Sequence, residues 1–390
     1  MKKIAIIANT CFESSIILAK HLSDQNYFVD YYLITSFEKR SVEGINFCNA
    51  KNKLGLYTLK GNDAYELFSY LKNAHVRVHL IKIVRNSIKF KLLNKIVLLI
   101  VSRKINKCKY NIINYIGHDE LILFLYKKLI KFKSIFTIHE VAAHWEGQYV
   151  NLNVLLFLFR NNIPIITPSN LSYQRILQNR DCKKENIYMI PFGLFEVFLC
   201  YNLSRSELID KTNYVLFFGS FRPYKGLDVL NKALGLLKNH GIKFVIAGYG
   251  YNPDIEMLRL NDNCMIINRF LTNEEIVELI KKAKIIVCPY KSVSQSGIIM
   301  TTFIFEKPVI ASDIGSFKEI IENGNNGLLI KPESPEELAA AIQNIYSNKV
   351  LYEKLVEGVK QKKNLKKYEW ESIAKLTISV YSRYTNIMEI

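Results

Sequence analysis

The residues best suited to chemistry in this chain are two cations in a loop that follows an apolar run. Residues 214–218 are predicted as a buried strand, Gly219 permits a sharp turn, and Arg222 and Lys225 precede an apolar-periodic helix that opens at Gly226. The first N–H groups of a helix are unpaired and carry partial positive charge, so such a junction attracts anions. The loop is therefore predicted to hold a diphosphate. The simpler alternative is a strand-to-helix loop with two solvated cations.

Two histidines form a second candidate group. His139 closes a predicted strand, and His144 follows five residues later in a loop that also contains Trp145 and Glu146. Imidazoles at the carboxyl end of a strand can donate hydrogen bonds to substrate hydroxyl groups or act as acid or base. Because two histidines occur here beside Glu140, we expect this segment to be functional rather than an ordinary loop.

The elements that must position these groups alternate between strands and helices. In the first half, the predicted strands are 3–8, 28–34, 76–83, 112–116, 134–139, 163–168 and 188–191, and the predicted helices are 15–22, 64–74, 87–106, 120–132, 152–159 and 171–178. Residues 9–15 are predicted as the loop after the first strand. Such alternation indicates a parallel, doubly wound sheet, in which ligands bind at the carboxyl ends of the strands.

The second half repeats this alternation. Its predicted strands are 214–218, 243–246, 264–267, 284–287, 308–312 and 328–330. Its predicted helices are 226–238, one that follows the glycine-containing turn 247–254, 273–283, 298–305, 335–347 and 369–384. Thr272 and Glu275 have the spacing of a capping box, and Ser169 and Asn170 are a plausible cap in the first half. The polar stretch 195–212 is predicted as the linker between two domains.

Composition agrees with two well-packed domains. A chain of 390 residues with 49% hydrophobic content exceeds what one core usually supports. Its strictly apolar stretches, such as 96–101 and 154–159, are far shorter than the roughly 18 residues that a spanning helix needs, and the start does not have the pattern of a signal peptide. Seven scattered cysteines without a Cys-x-x-Cys pair favour reduced, cytoplasmic thiols over a disulfide framework or a zinc site.

The positive charge is concentrated in the first half of the chain. Residues 1–200 carry 28 Lys and Arg against 14 Asp and Glu, whereas residues 67–118 carry 11 cations and no acid. The predicted helix 87–106 would place Lys91, Asn94, Lys95 and Ser102 on one side and Ile88, Leu92, Ile96 and Leu99 on another. Basic amphipathic segments bind anionic membrane surfaces, and no groove-reading or stacking motif favours nucleic acid. A half-buried helix with a solvated basic rim is compatible with this prediction.

Several motifs of the second half together resemble one known family. They are the loop 219–226 (Gly-Ser-Phe-Arg-Pro-Tyr-Lys-Gly), 246–250 (Ile-Ala-Gly-Tyr-Gly), 268–271 (Asn-Arg-Phe-Leu), 294–298 (Ser-Gln-Ser-Gly-Ile), and 306–311 (Glu-Lys-Pro-Val-Ile-Ala) with 313–315. In this order and spacing they resemble the donor-binding domain of family 4 glycosyltransferases. The resemblance implies a GT-B fold, in which two Rossmann-like doubly wound domains face each other across a cleft, and a retaining transfer from a nucleotide-sugar.

The resemblance also implies roles for individual residues. Catalytic positions would be His139, Arg222 and Lys225, with the two cations holding the donor diphosphate. Donor contacts would come from Gly219, Gly248, Tyr249, Arg269, Phe270, Ser294, Gln295, Ser296, Gly297, Ile298 and Thr302, and acceptor-side contacts from Thr10, Glu140 and His144. The family needs no cofactor and no metal ion.

One departure from the family concerns its two glutamates, which are separated by seven residues. Their positions are occupied by Ser294 and by Thr301 or Thr302, so hydrogen bonds from Ser294 and Gln295 would replace the carboxylates. Two alternatives follow from other classes: a sugar-nucleotide epimerase, which shares the two-domain architecture, and a non-catalytic partner subunit of a transferase complex.

The expected organisation is an acceptor-binding domain at 1–195, a nucleotide-sugar-binding domain at 196–367, and a C-terminal helix at 368–390 that packs back on the first domain. The expected enzyme is a hexosyltransferase that acts on a glycan or lipid-linked glycan of bacterial surface polysaccharide synthesis. It is expected in the cytoplasm, peripheral at the inner face of the membrane through its basic N-terminal domain, and without a nucleic-acid partner.

Overall fold

The chain folds into two compact α/β units in a computed structural model. The structure describes all residues except 40, 43–44, 48–52, 85–87, 142–150, 192, 202–207, 209–211, 294–296, 364–367 and 386–390. The N-terminal unit comprises Met1–Ala142, Tyr149–Gly193 and the chain from Lys367, whereas the described residues of the C-terminal unit lie between Leu194 and Lys366. Each unit is built around its own sheet.

The N-terminal unit contains an eight-stranded sheet with the order β10-β9-β8-β7-β1-β2-β6-β5 and a separate two-stranded ribbon of β3 and β4. All neighbours in the large sheet are parallel except β5, which runs antiparallel to β6. The strands are β1 Lys2–Ala8, β2 Tyr27–Ser36, β3 Ser41–Val42, β4 Ile45–Asn46, β5 Gly55–Thr58, β6 Val76–Ile83, β7 Ile112–Ile116, β8 Ser134–Thr137, β9 Ile165–Thr167 and β10 Ile187–Met189. The predicted parallel, doubly wound sheet is confirmed, and β5 was not predicted.

Helices cover the N-terminal sheet. They are α1 Phe12–Asp24, α2 Tyr65–Tyr70, α3 Lys91–Ile105, α4 Glu120–Lys128, α5 Leu152–Arg160 and α6 Asn170–Leu177. The predicted helix 64–74 was too long, since only a short α2 forms there. The core on one face of the sheet includes four fully buried side chains from α3, α4, β8 and α5, which are Leu98, Ile122, Phe136 and Leu158.

The loop predicted at residues 9–15 is shorter than expected, because α1 begins at Phe12. Ser14 and Ser15 donate hydrogen bonds from their hydroxyl groups to the carbonyl oxygens of Cys11 and Phe12, over 3.2 and 3.0 Å. Ser15 also contacts the Tyr31 hydroxyl group at 2.7 Å. Serines favour loops in sequence patterns, but serines that donate to nearby carbonyl oxygens also occur in helices. The prediction of a loop up to residue 15 was therefore too long.

Helix α3 presents a different side to the core than its sequence predicted. Asn94 and Ser102, expected on the solvated side, are buried together with Leu98 and Val101. The Asn94 side chain accepts a hydrogen bond from the Val84 N–H at 3.0 Å and donates one to the Val84 carbonyl oxygen at 3.2 Å. This pair of bonds fixes α3 to the end of β6 and turns the row that contains Leu92 outward.

The C-terminal unit has a six-stranded, fully parallel sheet with the order β13-β12-β11-β14-β15-β16, as predicted. Its strands are β11 Tyr214–Ser220, β12 Phe244–Tyr249, β13 Cys264–Asn268, β14 Ala283–Cys288, β15 Val309–Ser312 and β16 Gly327–Ile330. Its helices are α7 Leu227–Leu236, α8 Asp254–Arg259, α9 Asn273–Lys282, α10 Gly297–Ile304, α11 Phe317–Ile320, α12 Pro335–Ser347 and α13 Lys349–Lys363. Of these helices, α11 and α13 were not predicted.

Two segments complete the molecule. The predicted linker 195–212 begins with a 3-10 helix, Glu196–Cys200, whose Val197 and Phe198 are buried, so its first part belongs to the packed C-terminal unit. Helix α14, Trp370–Tyr384, packs against α1 of the N-terminal unit, where the Trp370 ring stacks 6.4 Å from the His21 ring. The Tyr381 hydroxyl group accepts a hydrogen bond from Asn114 in β7 at 2.9 Å.

Candidate active site

The loop between β11 and α7 is built around two glycines and a buried lysine. Gly219 has a φ of 121°, and a Cβ atom there would lie 2.9 Å from the Lys225 amine and 3.2 Å from Ile298 Cδ1. Gly226 has a φ of 72° and closes the 3-10 helix Pro223–Lys225, and its missing Cβ would lie 1.9 Å from the Pro289 carbonyl oxygen. Only glycine fits these positions. The fold therefore brings Gly219, Lys225 and Ile298 together.

Lys225 is the most unusual group in this loop. It is 8% exposed, and its amine lies 5.0 Å from the centre of the Tyr290 ring. Burial lowers its pKa to about 8, and the neighbouring Cys288 side chain opposes this shift. Among the described residues, no carboxylate contributes to that pKa. A buried cation without an acid partner is suited to an anionic ligand.

Arg222 precedes Lys225 at the start of the 3-10 helix and is exposed. Its backbone carbonyl oxygen accepts a hydrogen bond from the Lys225 N–H at 3.0 Å, so both cations belong to one tight turn. The next residue, Pro223, occupies the first position of that helix, where its missing N–H costs nothing. One exposed and one buried cation thus lie three positions apart on a rigid loop.

A second part of the site lies where β12 and β13 end. Gly248 pairs in register with Gly219, and a Cβ atom on Gly248 would lie 1.7 Å from the Gly219 carbonyl oxygen. The Arg269 N–H donates to the Gly248 carbonyl oxygen at 2.6 Å. Beside them the rings of Tyr249 and Phe270 stack at 3.7 Å, and both side chains are exposed. Four predicted donor residues therefore form one cluster at the carboxyl edge of the sheet.

The Arg269 side chain does not extend into solvent as a free cation. Its guanidinium group donates two hydrogen bonds to the Glu275 carboxylate, at 2.8 and 2.7 Å, and one to the Phe270 carbonyl oxygen at 3.1 Å. This guanidinium holds the pKa of Glu275 below its usual range. Glu275 also completes the predicted capping box with Thr272. Arg269 therefore positions the loop, and the stacked rings and the main chain are left as contact groups.

Helix α10 brings the last predicted donor residues. Gly297 is its first residue, and a Cβ atom there would lie 2.9 Å from the Phe195 ring. Ile298 reaches Gly219, as described above, and Thr302 is fully buried inside the helix packing, which makes direct contact with a ligand unfavourable for its side chain. Ser294, Gln295 and Ser296, which were predicted as hydrogen-bonding ligands, lie outside the described residues.

The N-terminal unit holds His139, which was predicted as catalytic, and the predicted acceptor-side residues. His139 is 9% exposed and follows β8, which ends two residues earlier than predicted, and its carbonyl oxygen accepts a hydrogen bond from the Ser172 hydroxyl group at 3.3 Å. It lines a cavity of about 40 Å³, mostly apolar, beneath α1 and α14. A cavity of this size holds a few water molecules and no sugar. Thr10 is exposed and Glu140 is half-buried, whereas His144 lies outside the described residues.

Sequence reasoning missed three polar residues at the switch point of the N-terminal sheet. Strands β1 and β7 are neighbours from which the chain leaves in opposite directions, and ligands of doubly wound sheets bind at such a point. Asn9 follows β1, and His118 and Asp119 follow β7. Asp119 caps α4 by accepting hydrogen bonds from two N–H groups at 3.0 and 2.8 Å, and burial raises its pKa. Burial lowers the pKa of His118, which favours its neutral form.

A sequence signal for these residues was available. Gly117 precedes His118 at the end of a strand that was predicted correctly, and Asp119 stands before an apolar helix in the cap position. Asp119 caps α4, and this role is compatible with a second one in a polar cluster with Asn9 and His118. Among the described residues, no group of three or more His, Cys, Asp or Glu side chains could hold a metal ion.

No described helix has the length and apolar character that crossing a bilayer requires. The six cysteines that the structure describes are all free thiols.

Comparison with known proteins places this geometry in context. Residues 202–362 match the family described as glycosyl transferases group 1. An uncharacterised glycosyltransferase of Methanocaldococcus jannaschii is 29% identical over 235 residues, which are 56% of this chain and 59% of that protein. The alpha-D-kanosaminyltransferase of Streptomyces kanamyceticus is 28% identical over 157 residues, which are 38% and 40% of the two chains. The chain thus spans about half the length of the curated relatives it matches.

Solved structures resemble the chain over nearly its whole length. HepE of Anabaena, solved in complex with UDP-glucose, has a TM-score of 0.68 at 16% identity and covers 98% of this chain and 100% of its own. Sucrose-phosphate synthase of Thermosynechococcus elongatus has a TM-score of 0.67 at 16% identity, with 98% and 99% covered. A UDP-GlcNAc 2-epimerase of Neisseria meningitidis has a TM-score of 0.58 at 13% identity, with 98% and 100% covered.

The TM-scores show a shared fold, and the family match lies on the unit that holds Lys225 and the stacked rings. The chain has the GT-B fold, and the stretch 202–362 of its C-terminal unit is similar to the glycosyl transferases group 1.

Proposed function

We propose that this protein is a retaining glycosyltransferase of the family 4 type, which transfers a hexosyl group from a nucleotide-sugar to an acceptor. The observation that carries the proposal is the buried Lys225, which lies beside Gly219 and has no carboxylate partner among the described residues. The charged form of a lysine in this environment is stabilised most by a ligand that brings negative charge and is not bulky near Gly219. The diphosphate of a nucleotide-sugar is such a ligand.

The chemistry follows from where charge develops. As the bond between the anomeric carbon and the diphosphate oxygen breaks, negative charge accumulates on the leaving nucleoside diphosphate. Lys225 and Arg222 would stabilise that charge from one rigid turn, which is electrostatic catalysis by preorganised cations. The acceptor hydroxyl group forms the new bond to the anomeric carbon, and its proton passes to the leaving phosphate. The charge on the two cations makes a metal ion unnecessary in this proposal.

The stacked rings of Tyr249 and Phe270 are the proposed contact for the nucleobase. Both rings are exposed, and an exposed aromatic pair offers a planar apolar surface on which a base can stack. The Arg269 pair with Glu275 would hold the loop in place while its main chain meets the base edge. Selection of the base would then depend on loop geometry more than on a charged side chain.

The proposed acceptor is a lipid-linked glycan of bacterial surface polysaccharide synthesis. Thr10, Glu140 and His144 are the proposed acceptor-side residues, and His139 is the proposed catalytic residue of the N-terminal unit. The support is the basic N-terminal unit, because an excess of cations favours a site of action at an anionic membrane surface. The proposed location is the cytoplasm, peripheral at the inner face of the membrane.

A thermal-shift panel of UDP-, GDP- and ADP-linked sugars tests the donor site, since a nucleotide that binds only the folded state must raise its stability. We expect one donor to raise the melting temperature of the wild type and to have a much weaker effect on Arg222→Ala and Lys225→Ala. Lys232→Ala, which removes an exposed cation from α7, is the matched control. Equal shifts for all four proteins would refute the diphosphate site.

Product analysis separates the remaining candidates. Transfer to an acceptor, with retention at the anomeric carbon, supports the proposal. A changed sugar formed from the donor alone would identify an epimerase, a class with which the chain shares its fold. Absence of nucleotide and sugar binding by calorimetry would identify a non-catalytic partner subunit.

A further inference from the structure

The outer side of α3 is an exposed apolar row. Leu92, Ile96 and Ile100 are spaced four residues apart, so they lie above one another on one face of the helix. Their exposed fractions are 73%, 48% and 50%, and Leu93 beside them is 40% exposed. We call these four residues the α3 ridge. Single exposed apolar residues are ordinary, whereas a contiguous row indicates a binding surface.

The ridge is held outward by the other side of the helix. Asn94 is fully buried and bonds to both backbone groups of Val84, and Leu98 and Val101 pack in the core. Turning the helix to bury the ridge would expose these core residues and leave the Val84 groups without their partner. The outward direction of the ridge is therefore a fixed property of the fold.

Cations surround the ridge. Lys89 precedes it, Lys95 lies within it, and Arg103 and Lys104 follow it, in a stretch from 67 to 118 that contains 11 cations and no acid. On the neighbouring α4, Phe124 lies 6.0 Å from the Lys95 amine and 5.5 Å from the Lys128 amine. Lys91 forms an ion pair with Glu120 of α4, so its charge is largely compensated.

We propose that the α3 ridge inserts into the interfacial layer of an anionic lipid bilayer, with α3 parallel to the membrane plane and the flanking cations at the lipid phosphates. The combination of an apolar row and a cationic border matches such a surface. A second copy of this chain is disfavoured as the occupant, because two such borders would repel each other. The inference deepens the proposed membrane location and rests on it for its biological setting.

The structure separates two ways of binding a membrane. Adsorption by charge alone depends on the cations and disappears at high salt, with about a fivefold loss for each cation removed. Insertion also depends on the ridge, and removal of three large apolar side chains is expected to weaken binding by about 100-fold. The two contributions can therefore be measured with different variants.

The experiment uses the full-length protein and flotation with vesicles of phosphatidylcholine, alone or mixed with phosphatidylglycerol. The test variant is Leu92→Ser with Ile96→Ser and Ile100→Ser, and the charge variant is Lys89→Gln with Lys95→Gln and Arg103→Gln. The matched control, Leu236→Ser with Met257→Ser and Leu260→Ser, removes three exposed apolar side chains from the C-terminal unit. We expect the wild type and the control to bind mixed vesicles, the test variant to lose binding, and the charge variant to weaken in proportion to its lost cations.

A tryptophan placed on the ridge reports insertion directly. The fluorescence of Ile96→Trp should shift to the blue on mixed vesicles and be quenched by lipids brominated in their acyl chains. An aqueous emission spectrum on bound protein, or unchanged binding of the test variant, would overturn the inference. So would self-association of the wild type that the test variant abolishes without any vesicle binding, since the occupant would then be a second copy.

Nucleotide binding keeps this test independent of the proposed enzyme activity. All ridge and charge variants should retain the nucleotide-induced thermal shift of the wild type, which also shows that they fold. A failure of vesicle binding with this shift intact contradicts only the membrane inference. Loss of any nucleotide response in the wild type contradicts the proposed function and leaves the vesicle result to be judged by itself.

Discussion

Replacement of Lys225 by methionine should stabilise the protein and abolish binding of the donor. The folded structure lowers the pKa of this amine from 10.5 to about 8 by burial, so at pH 7 the folded state carries a charge that its surroundings disfavour. One pKa unit corresponds to about 1.4 kcal/mol, which makes the cost about 3 kcal/mol at pH 7. Methionine has a similar shape and no charge, and we expect Lys225→Met to gain up to that amount.

The destabilisation by Lys225 depends on pH, because it comes from the charged form of the amine. Below pH 8 the amine is charged in both states and the folded wild type bears the full cost. As the pH rises from 8 toward 10.5, the folded protein releases its proton before the unfolded chain does, so the cost declines. The difference in unfolding free energy between Lys225→Met and the wild type should therefore narrow over this range.

The same pKa predicts how nucleotide affinity depends on pH. Binding of a diphosphate requires the charged amine, so affinity should be constant near pH 7 and fall about tenfold for each pH unit well above 8. Urea denaturation at several pH values measures stability, and calorimetry measures binding. Lys232→Met, on the exposed side of α7, is the control and should change neither quantity by much. A less stable Lys225→Met, or a wild-type affinity that is flat from pH 7 to above 9, would refute the reasoning.

Three further predictions concern other parts of the fold. Gly248→Ala should lower unfolding free energy by about 3 kcal/mol or more and abolish nucleotide binding, because its Cβ atom would lie 1.7 Å from a backbone oxygen; Gly235→Ala, with open space around it in α7, should gain about 1 kcal/mol in the same denaturation assay. Asp30→Asn should cost about 3 kcal/mol, since this buried carboxylate contacts Lys3, Arg77, His79 and Tyr110, and these partners hold its pKa well below the usual range. The contribution of Asp30 to the free energy of unfolding should therefore be fully present above about pH 4 and be lost as the pH drops further. The free energy of unfolding of the variant should depend less steeply on pH in this acid range. Glu275→Gln should change stability by less than about 1 kcal/mol, because the Arg269 guanidinium is about half exposed and glutamine can still accept hydrogen bonds. The same change should weaken nucleotide binding severalfold by loosening the loop, and calorimetry that shows unchanged affinity would contradict this role.

The features that sequence predicted well depend on short-range signals. The Thr272 cap with Glu275 and the Ser169 cap both form as expected, because a cap requires only residues within one helical turn. The strands 76–83 and 112–116 match their predicted bounds, since an apolar run between breakers fixes a buried strand. Alternation of such strands with helices then leaves few topologies other than the parallel sheets observed.

The features that sequence missed depend on partners far along the chain. The side of α3 that faces the core is decided by Asn94, whose partner Val84 follows β6, and hydrophobic periodicity alone favoured the opposite side. Helix α13 contributes only a few buried residues, such as Leu355 and Val359, so its pattern is weak. The burial of Lys225 depends on Gly219 from β11, Ile298 from α10 and Tyr290 after β14. No local sequence pattern predicts that these residues lie together.

The features that lower the stability of the C-terminal unit lie at one edge of its sheet. Gly219 and Gly248 are neighbours in register, both with positive φ, and they bring two strand ends closer than any side chain would allow. Lys225 is buried at the same edge without a carboxylate partner among the described residues. An anion that enters there supplies the charge that the amine lacks and uses the space that the missing side chains leave. Binding of an anion should therefore compensate for the destabilisation that the buried charge causes in the folded protein. For this reason, removal of the charge is expected both to raise stability and to abolish binding.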